Sequence, residues 1–168
     1  MAVELNSELP IVYLQAGEAH LTRSPAILRT VLGSCVGVTF WCARLGAGAL
    51  CHAVLPRRPD ARVVDSYRYV DSSIRCLVSQ FEELGARRQE LVVKVFGGAD
   101  VLPVGASAAF RQTVGWQNCR AAIEVLESEG LAVTASDLGG TQGRAIRFYT
   151  GSGVVLLERL AAQAGDQS

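Results

Sequence analysis

The sequence predicts an α+β fold: a layered α/β sandwich of mixed and antiparallel strands with two main helices, in a single domain. Three observations predict it. Short apolar runs recur between Gly, Pro and charged breaks, as in strands joined by tight turns. Two segments instead carry apolar residues at helical spacing. A chain of 168 residues, 49% of them hydrophobic, has material for one sizeable core and length for one domain.

The elements follow in order. Residues 11–14 form a short strand, Ile-Val-Tyr-Leu. Runs 26–32, 35–42 and 47–55 give three more, separated by Gly33-Ser34 and by a charged turn at Arg44. Residues 56–62 are polar and contain two prolines, which marks a loop. Tyr69, Val70, Ile74, Leu77, Val78, Phe81 and Leu84 then fall on one helical face, and Gly85 ends that helix. Residues 91–96 form a strand ending at Gly97-Gly98-Ala99. The stretch 100–113, rich in Gly, Ala and Ser, reads as a long surface excursion. A second helix is predicted over 115–129, stopped by Gly130, and runs 131–136, 144–150 and 154–158 complete the strands. Residues 1–160 make the domain, and 161–168 a loose tail.

Charge narrows the function. Sixteen basic residues balance sixteen acidic ones, so no basic face for nucleic acid is expected. The N-terminus, Met1-Ala2-Val3-Glu4, lacks the features of a signal peptide, and no apolar run approaches the ~20 residues of a membrane span. Five cysteines, an odd number without a regular framework, suit a reducing compartment, and a cytoplasmic location is expected.

The chemistry concentrates in two places. Thr30-Val31-Leu32-Gly33-Ser34-Cys35-Val36 sets a thiol at a bend between two strands, where backbone amides of Gly33, Ser34 and Cys35 are candidates for an oxyanion site. Gly48-Ala49-Leu50-Cys51-His52-Ala53-Val54-Leu55-Pro56 carries one His on a nearby strand. A thiol nucleophile needs both parts, because a free thiol is only slightly ionised at neutral pH and an imidazole takes its proton. Strand alternation sends Cys51 to the face opposite His52.

These runs together resemble CheD, the chemoreceptor glutamine deamidases of bacterial chemotaxis. The likeness continues through Lys94-Val95-Phe96-Gly97-Gly98-Ala99, through Gly115-Trp116-Gln117-Asn118 (Gln117 standing where the family has Arg), and through Asp137-Leu138-Gly139-Gly140 with Gly143-Arg144. It spans about residues 11–160. The resemblance implies hydrolysis of specific glutamine side chains to glutamate on methyl-accepting receptors, with release of ammonia. Cys35 would be the nucleophile, a thioester the intermediate, and His52 the general base and acid. It also implies a Thr that orients the imidazole. Thr30 and Arg29 compete for that place; Thr30 is favoured because a hydroxyl accepts from a ring N–H and a guanidinium does not. The implied partners are the helical bundle of a chemoreceptor and a CheC-type phosphatase. A binding module that docks such a phosphatase, with or without the chemistry, is the alternative reading. Transamidation is a third, separated from hydrolysis only by whether water or an amine reaches the thioester. Segments 57–62 and 100–113 are candidates for the rim of an open mouth.

Each of these residues also has a plainer reading. A Cys in an apolar strand is usually packing, as Cys42, Cys76 and Cys119 are expected to be, and His52 without Cys35 would be a core histidine. His20 reads as a surface residue in a polar turn. No Cys-x-x-Cys pair is present, so no metal is expected, and no cofactor. Gly97-Gly98 and Gly139-Gly140 belong to no phosphate-binding motif and read as turns that let backbone pass close to the site. Asp137 and Arg144 form a candidate structural pair. Lys94 is either an edge residue or a buried charge with a partner.

Overall fold

A computed structural model describes residues 8–64, 66–100 and 113–161. Nine strands and two α-helices are found among them: β1 Ile11–Tyr13, β2 Ala19–Thr22, β3 Ile27–Leu32, β4 Val36–Cys42, β5 Ala47–Ala53, α1 Val70–Glu83, β6 Val92–Gly97, α2 Val114–Ser128, β7 Val133–Leu138, β8 Arg144–Tyr149 and β9 Val155–Arg159. The strands make two sheets, in the orders β1-β3-β8-β9 and β2-β5-β4-β6-β7. Pairing is antiparallel except for β1 with β3 and β6 with β7, which are parallel. The predicted mixed, layered α+β class is the one observed.

Two cores define three layers. Val36, Val38, Phe40, Cys42, Ala47, Ala49, Cys51 and Ala53 point from β4 and β5 toward the helices, where they meet Ile74, Leu77, Phe81, Ala122 and Leu126. The opposite faces of the same strands point toward the second sheet. There Leu50 of β5, with Phe96 of the neighbouring β6, packs against Leu28, Leu32, Ile146 and Phe148. Strands β4 and β5 are covered on both sides, which is why their sequences are nearly continuous apolar runs. Each of the fully buried Phe and Leu side chains contributes about 1.5–3 kcal/mol by leaving water.

The predicted elements shift by one or two residues at their ends, as terminal turns and ladders fray. Helix α2 begins one residue early because the Thr113 hydroxyl accepts from the Trp116 N–H (3.2 Å) and caps it. One element departs from the sequence reading. Residues 19–22, with His20, form edge strand β2 on β5 rather than a polar turn, with His20 opposite Leu50. Four residues without apolar alternation carry too little pattern to announce a strand. Most of the excursion expected over 100–113 and nearly all of the expected tail over 161–168 lie outside the described residues.

The end of β6 meets the bend between β3 and β4 at close range. Gly97 has φ +107° and Gly98 φ +66°, in the left-handed region that favours glycine. A Cβ on Gly97 would overlap the Cys35 carbonyl oxygen, and one on Gly98 the Cys119 sulfur. Arg144, buried between the sheets' ends, holds the same corner. Its guanidinium donates to Asp137 Oδ1 (2.6 Å), to the Gly139 carbonyl (2.7 Å) and to the Gly97 carbonyl (3.3 Å). Arg159 reaches the other Asp137 oxygen (2.6 Å). Burial alone would raise the Asp137 pKa, but the hydrogen bonds from Arg159 and Arg144 outweigh it and hold the carboxyl below its ordinary value. Lys94 is half-buried and donates to the Gly153 carbonyl (3.0 Å), so it is a charge with a partner. Gly97→Ala is expected to destabilise the protein by at least ~1–3 kcal/mol, through a strained φ and a steric overlap, as measured by urea unfolding; wild-type stability in that variant would refute the close contact.

Candidate active site

The register of the central sheet brings the two candidate groups to one face. Gly37 on β4 pairs with His52 on β5, and Val36 with Ala53. Side chains alternate, so His52 shares the inter-sheet face with Leu50, while Cys51 points to the helices. Cys35 precedes β4 and packs against the inter-sheet core, the face that His52 shares. The thiol is half-buried. The fully buried Cys51 has its pKa pushed up to about 12 by desolvation, the behaviour of a packing residue. Cys42 is also buried; Cys76 and Cys119 are half-buried.

Thr30 and His52 meet across the gap between the sheets. Thr30 Oγ1 lies 2.6 Å from His52 Nδ1 and 2.8 Å from the Leu14 carbonyl oxygen. A carbonyl only accepts, so the single hydroxyl hydrogen of Thr30 goes to Leu14. The hydroxyl oxygen then accepts from Nδ1–H. This fixes the tautomer: the proton sits on Nδ1, and Nε2 keeps the lone pair that can take a proton. Arg29 instead donates to the Tyr13 hydroxyl (3.2 Å), with its guanidinium over the Tyr13 ring. The His52 main chain is held too, since its N–H donates to the Glu18 carbonyl (2.9 Å) and its carbonyl accepts from Gly17 (2.8 Å).

Burial disfavours the charged form of both groups. Burial lowers the His52 pKa, and the nearby Glu18 carboxylate only partly offsets this. Burial raises the Cys35 pKa. The two shifts oppose a resting thiolate–imidazolium pair.

The bend itself is held by its carbonyls. The Gly33 oxygen accepts from Ala99 N–H, the Cys35 oxygen from Gly98 N–H and the Ser34 oxygen from Asn118 Nδ2, each at 2.9 Å. Among the described residues, the N–H groups of Gly33, Ser34 and Cys35 have no acceptor within hydrogen-bond reach. A cleft of about 300 Å³ opens beside the imidazole, where β3 runs past the end of β1, lined by Tyr13, Gln15, Arg29, Thr30 and His52 among others. A second, of about 460 Å³, lies between Pro56-Arg57 and the first turns of α2. Among the described residues no cluster of three or more metal-ligating side chains occurs, and no helix is long and apolar enough to cross a membrane.

The CheD family model, described as CheD chemotactic sensory transduction, matches residues 54–159. The chain belongs to the CheD family. A probable chemoreceptor glutamine deamidase CheD 2 of Geobacter sulfurreducens is 46% identical over 159 residues, covering 95% of this chain and 96% of its own. A probable chemoreceptor glutamine deamidase CheD of Maridesulfovibrio salexigens is 40% identical, over 92% of this chain and 94% of its own. One from Rhodospirillum rubrum is 39% identical, over 92% and 85%. A solved structure of Neisseria meningitidis protein NMB0706, of the DUF152 family model, overlays 79% of this chain and 63% of its own at 17% identity; its TM-score of 0.42 is too low to carry an argument.

Sequence reasoning assigned no role to Asn118. Its signal was present: with Gly115, Ala122 and Val125 it lies on the buried stripe of α2, a polar side chain where the helix is otherwise apolar. If the thiol is neutral at rest, Cys35 labelling by iodoacetamide should rise about tenfold per pH unit between pH ~7 and ~8.5, followed by peptide mass spectrometry. A rate flat over that range would reveal a preformed thiolate.

Proposed function

We propose that this protein hydrolyses glutamine side chains on the cytoplasmic helical bundle of chemoreceptors to glutamate, with Cys35 as nucleophile, His52 as general base and acid, and Thr30 orienting the imidazole. The observation that carries the reading is the 2.6 Å contact of Thr30 with Nδ1 of a buried His52 on the face that also bears Cys35. The deamidase names of the relatives favour an amide as the electrophile.

The chemistry follows from the protonation states. Nε2 of His52 takes the thiol proton as sulfur attacks the amide carbon, so the ions form only when substrate is present. The carbonyl oxygen becomes an oxyanion, for which the N–H groups of Gly33, Ser34 and Cys35, unpaired among the described residues, are the available donors. Nε2–H then protonates the departing nitrogen, and ammonia leaves a thioester. Water, activated by the same nitrogen, attacks the thioester and releases the thiol and the carboxylic acid, whose proton passes through solvent to ammonia. The balance is one water consumed and one ammonia released per glutamine. Neutral groups suit this sequence, because a strongly basic amide leaving group needs a proton donor at the second step as much as a nucleophile at the first.

The test is conversion of glutamine to glutamate on a purified receptor cytoplasmic fragment, followed by mass spectrometry. Cys35→Ala is expected to abolish conversion and His52→Ala to lower kcat by ~10²–10⁴-fold. Thr30→Val should cost ~10–10²-fold, because it frees the ring to turn and to change tautomer. Cys51→Ala and Arg29→Ala should leave the rate largely intact. A wild-type protein that binds receptor without converting it would leave only a docking role. kcat/KM should be level across neutral pH and fall on the acid side only below pH ~6.5, since burial depresses the His52 pKa beneath that ordinary value; an acid limb above it would contradict a buried, neutral base.

A further inference from the structure

We propose that Asn118 is a positioning residue that aims the Cys35 amide N–H at the oxyanion formed when the thiol attacks. The inference rests on the reading of Cys35 as nucleophile and adds a part to that site.

Asn118 is fully buried on α2, and its side-chain nitrogen spends both hydrogens on main-chain carbonyls of two other segments. One goes to Ser34, beside the thiol, and one to Val54, two residues beyond the imidazole, each at 2.9 Å. A single amide thus ties the thiol-bearing bend to the histidine-bearing strand. Hydrogen bonds shielded from water in this way hold orientation tightly.

The consequence lies in the peptide unit. The Ser34 carbonyl and the Cys35 N–H belong to one planar trans peptide and point in opposite directions. With the oxygen drawn toward α2, the N–H is turned away from the helices, toward the side of the sheet that bears Cys35 and His52. The flanking carbonyls of Gly33 and Cys35 are held by the main-chain N–H groups of Ala99 and Gly98, just past β6. Asn118 is the side chain in this clamp. Its Oδ1 has no partner among the described residues, so its fit to the site comes through its donors. An Asp carboxylate in its place would face the oxygens of Ser34 and Val54 with an acceptor.

In the step concerned, the sulfur–carbon bond forms, the carbonyl π pair moves onto oxygen and the thiol proton goes to His52 Nε2. The Cys35 N–H donates to that new oxyanion. Alkylation by iodoacetamide also forms a sulfur–carbon bond but expels iodide and makes no oxyanion. Comparing the two reactions therefore separates aim of the N–H from general damage to the thiol.

The experiment measures kcat and KM on a receptor cytoplasmic fragment, together with the iodoacetamide rate at Cys35, for wild type, Asn118→Ala and Asn118→Ser. Asn118→Ala is expected to lower kcat ~10–10²-fold, with KM within about threefold and the alkylation rate within about twofold. Asn118→Ser, which keeps one donor, should recover part of kcat. An unchanged kcat in Asn118→Ala overturns the proposal, as does an alkylation rate that falls in step with kcat. Should the variants not fold, the wild-type protein still decides: the Asn118 side-chain amide protons must exchange with solvent far more slowly than those of an exposed Asn, and fast exchange overturns the clamp. A wild type inert on receptor fragments would remove the deamidase reading and this inference together; an active wild type with full kcat in Asn118→Ala removes this inference alone.

Discussion

Gly37 stands opposite His52 across the β4–β5 ladder, and nearly everything else about the site depends on that register. Side chains on a strand alternate, so a slip of one residue would send His52 to the helices and Cys51 to the inter-sheet core. The register is pinned from both sides. Val36, Val38 and Phe40 on β4 and Ala49, Cys51 and Ala53 on β5 fill the helix-facing core, and Leu50 fills the other. Exchanging the faces would expose none of these residues to water, but it would set alanines where Leu50 fills space and a polar imidazole among the side chains of α1 and α2. Packing volume and the cost of an unpaired imidazole select one register.

Burial then decides the electrostatics. Set between two sheets, the imidazole is harder to protonate and the thiol harder to ionise. The Thr30 hydroxyl answers the one ring hydrogen of His52 that burial would otherwise leave unsatisfied. The same hydroxyl spends its own hydrogen on Leu14, so the tautomer follows from a count of donors and acceptors. The bond satisfies a buried polar group and leaves Nε2 its lone pair.

Much of the candidate site was legible in the sequence because its parts are local. A thiol at a Gly-Ser bend and a His on an apolar run are visible in short windows, and strand alternation separates His52 from Cys51. The pairing of Thr30 with the imidazole was less visible, since Arg29 and Thr30 sit side by side in the chain; the donor chemistry of the ring favoured the hydroxyl, and the structure places that hydroxyl on His52 and Arg29 on Tyr13. Strand β2 was missed because four half-buried residues at a sheet edge carry no periodicity. Asn118 passed without a role because its partners, Ser34 and Val54, lie 84 and 64 positions away. A buried Asn on an apolar helix stripe announces that it has partners; only the fold names them.

By itself the chain determined the elements, the layered α+β class and the residue types available for thiol chemistry, because these follow from periodicity, turn residues and functional groups within a few positions of each other. The tertiary structure decided which sheet each strand joins, which carbonyls hold the Cys35 bend and which way the imidazole proton points. Those depend on contacts between distant segments, such as Gly98 with Cys35 or Thr30 with His52. They are set when packing fills both cores and every buried donor finds an acceptor, a condition on the whole molecule that no short stretch of sequence expresses.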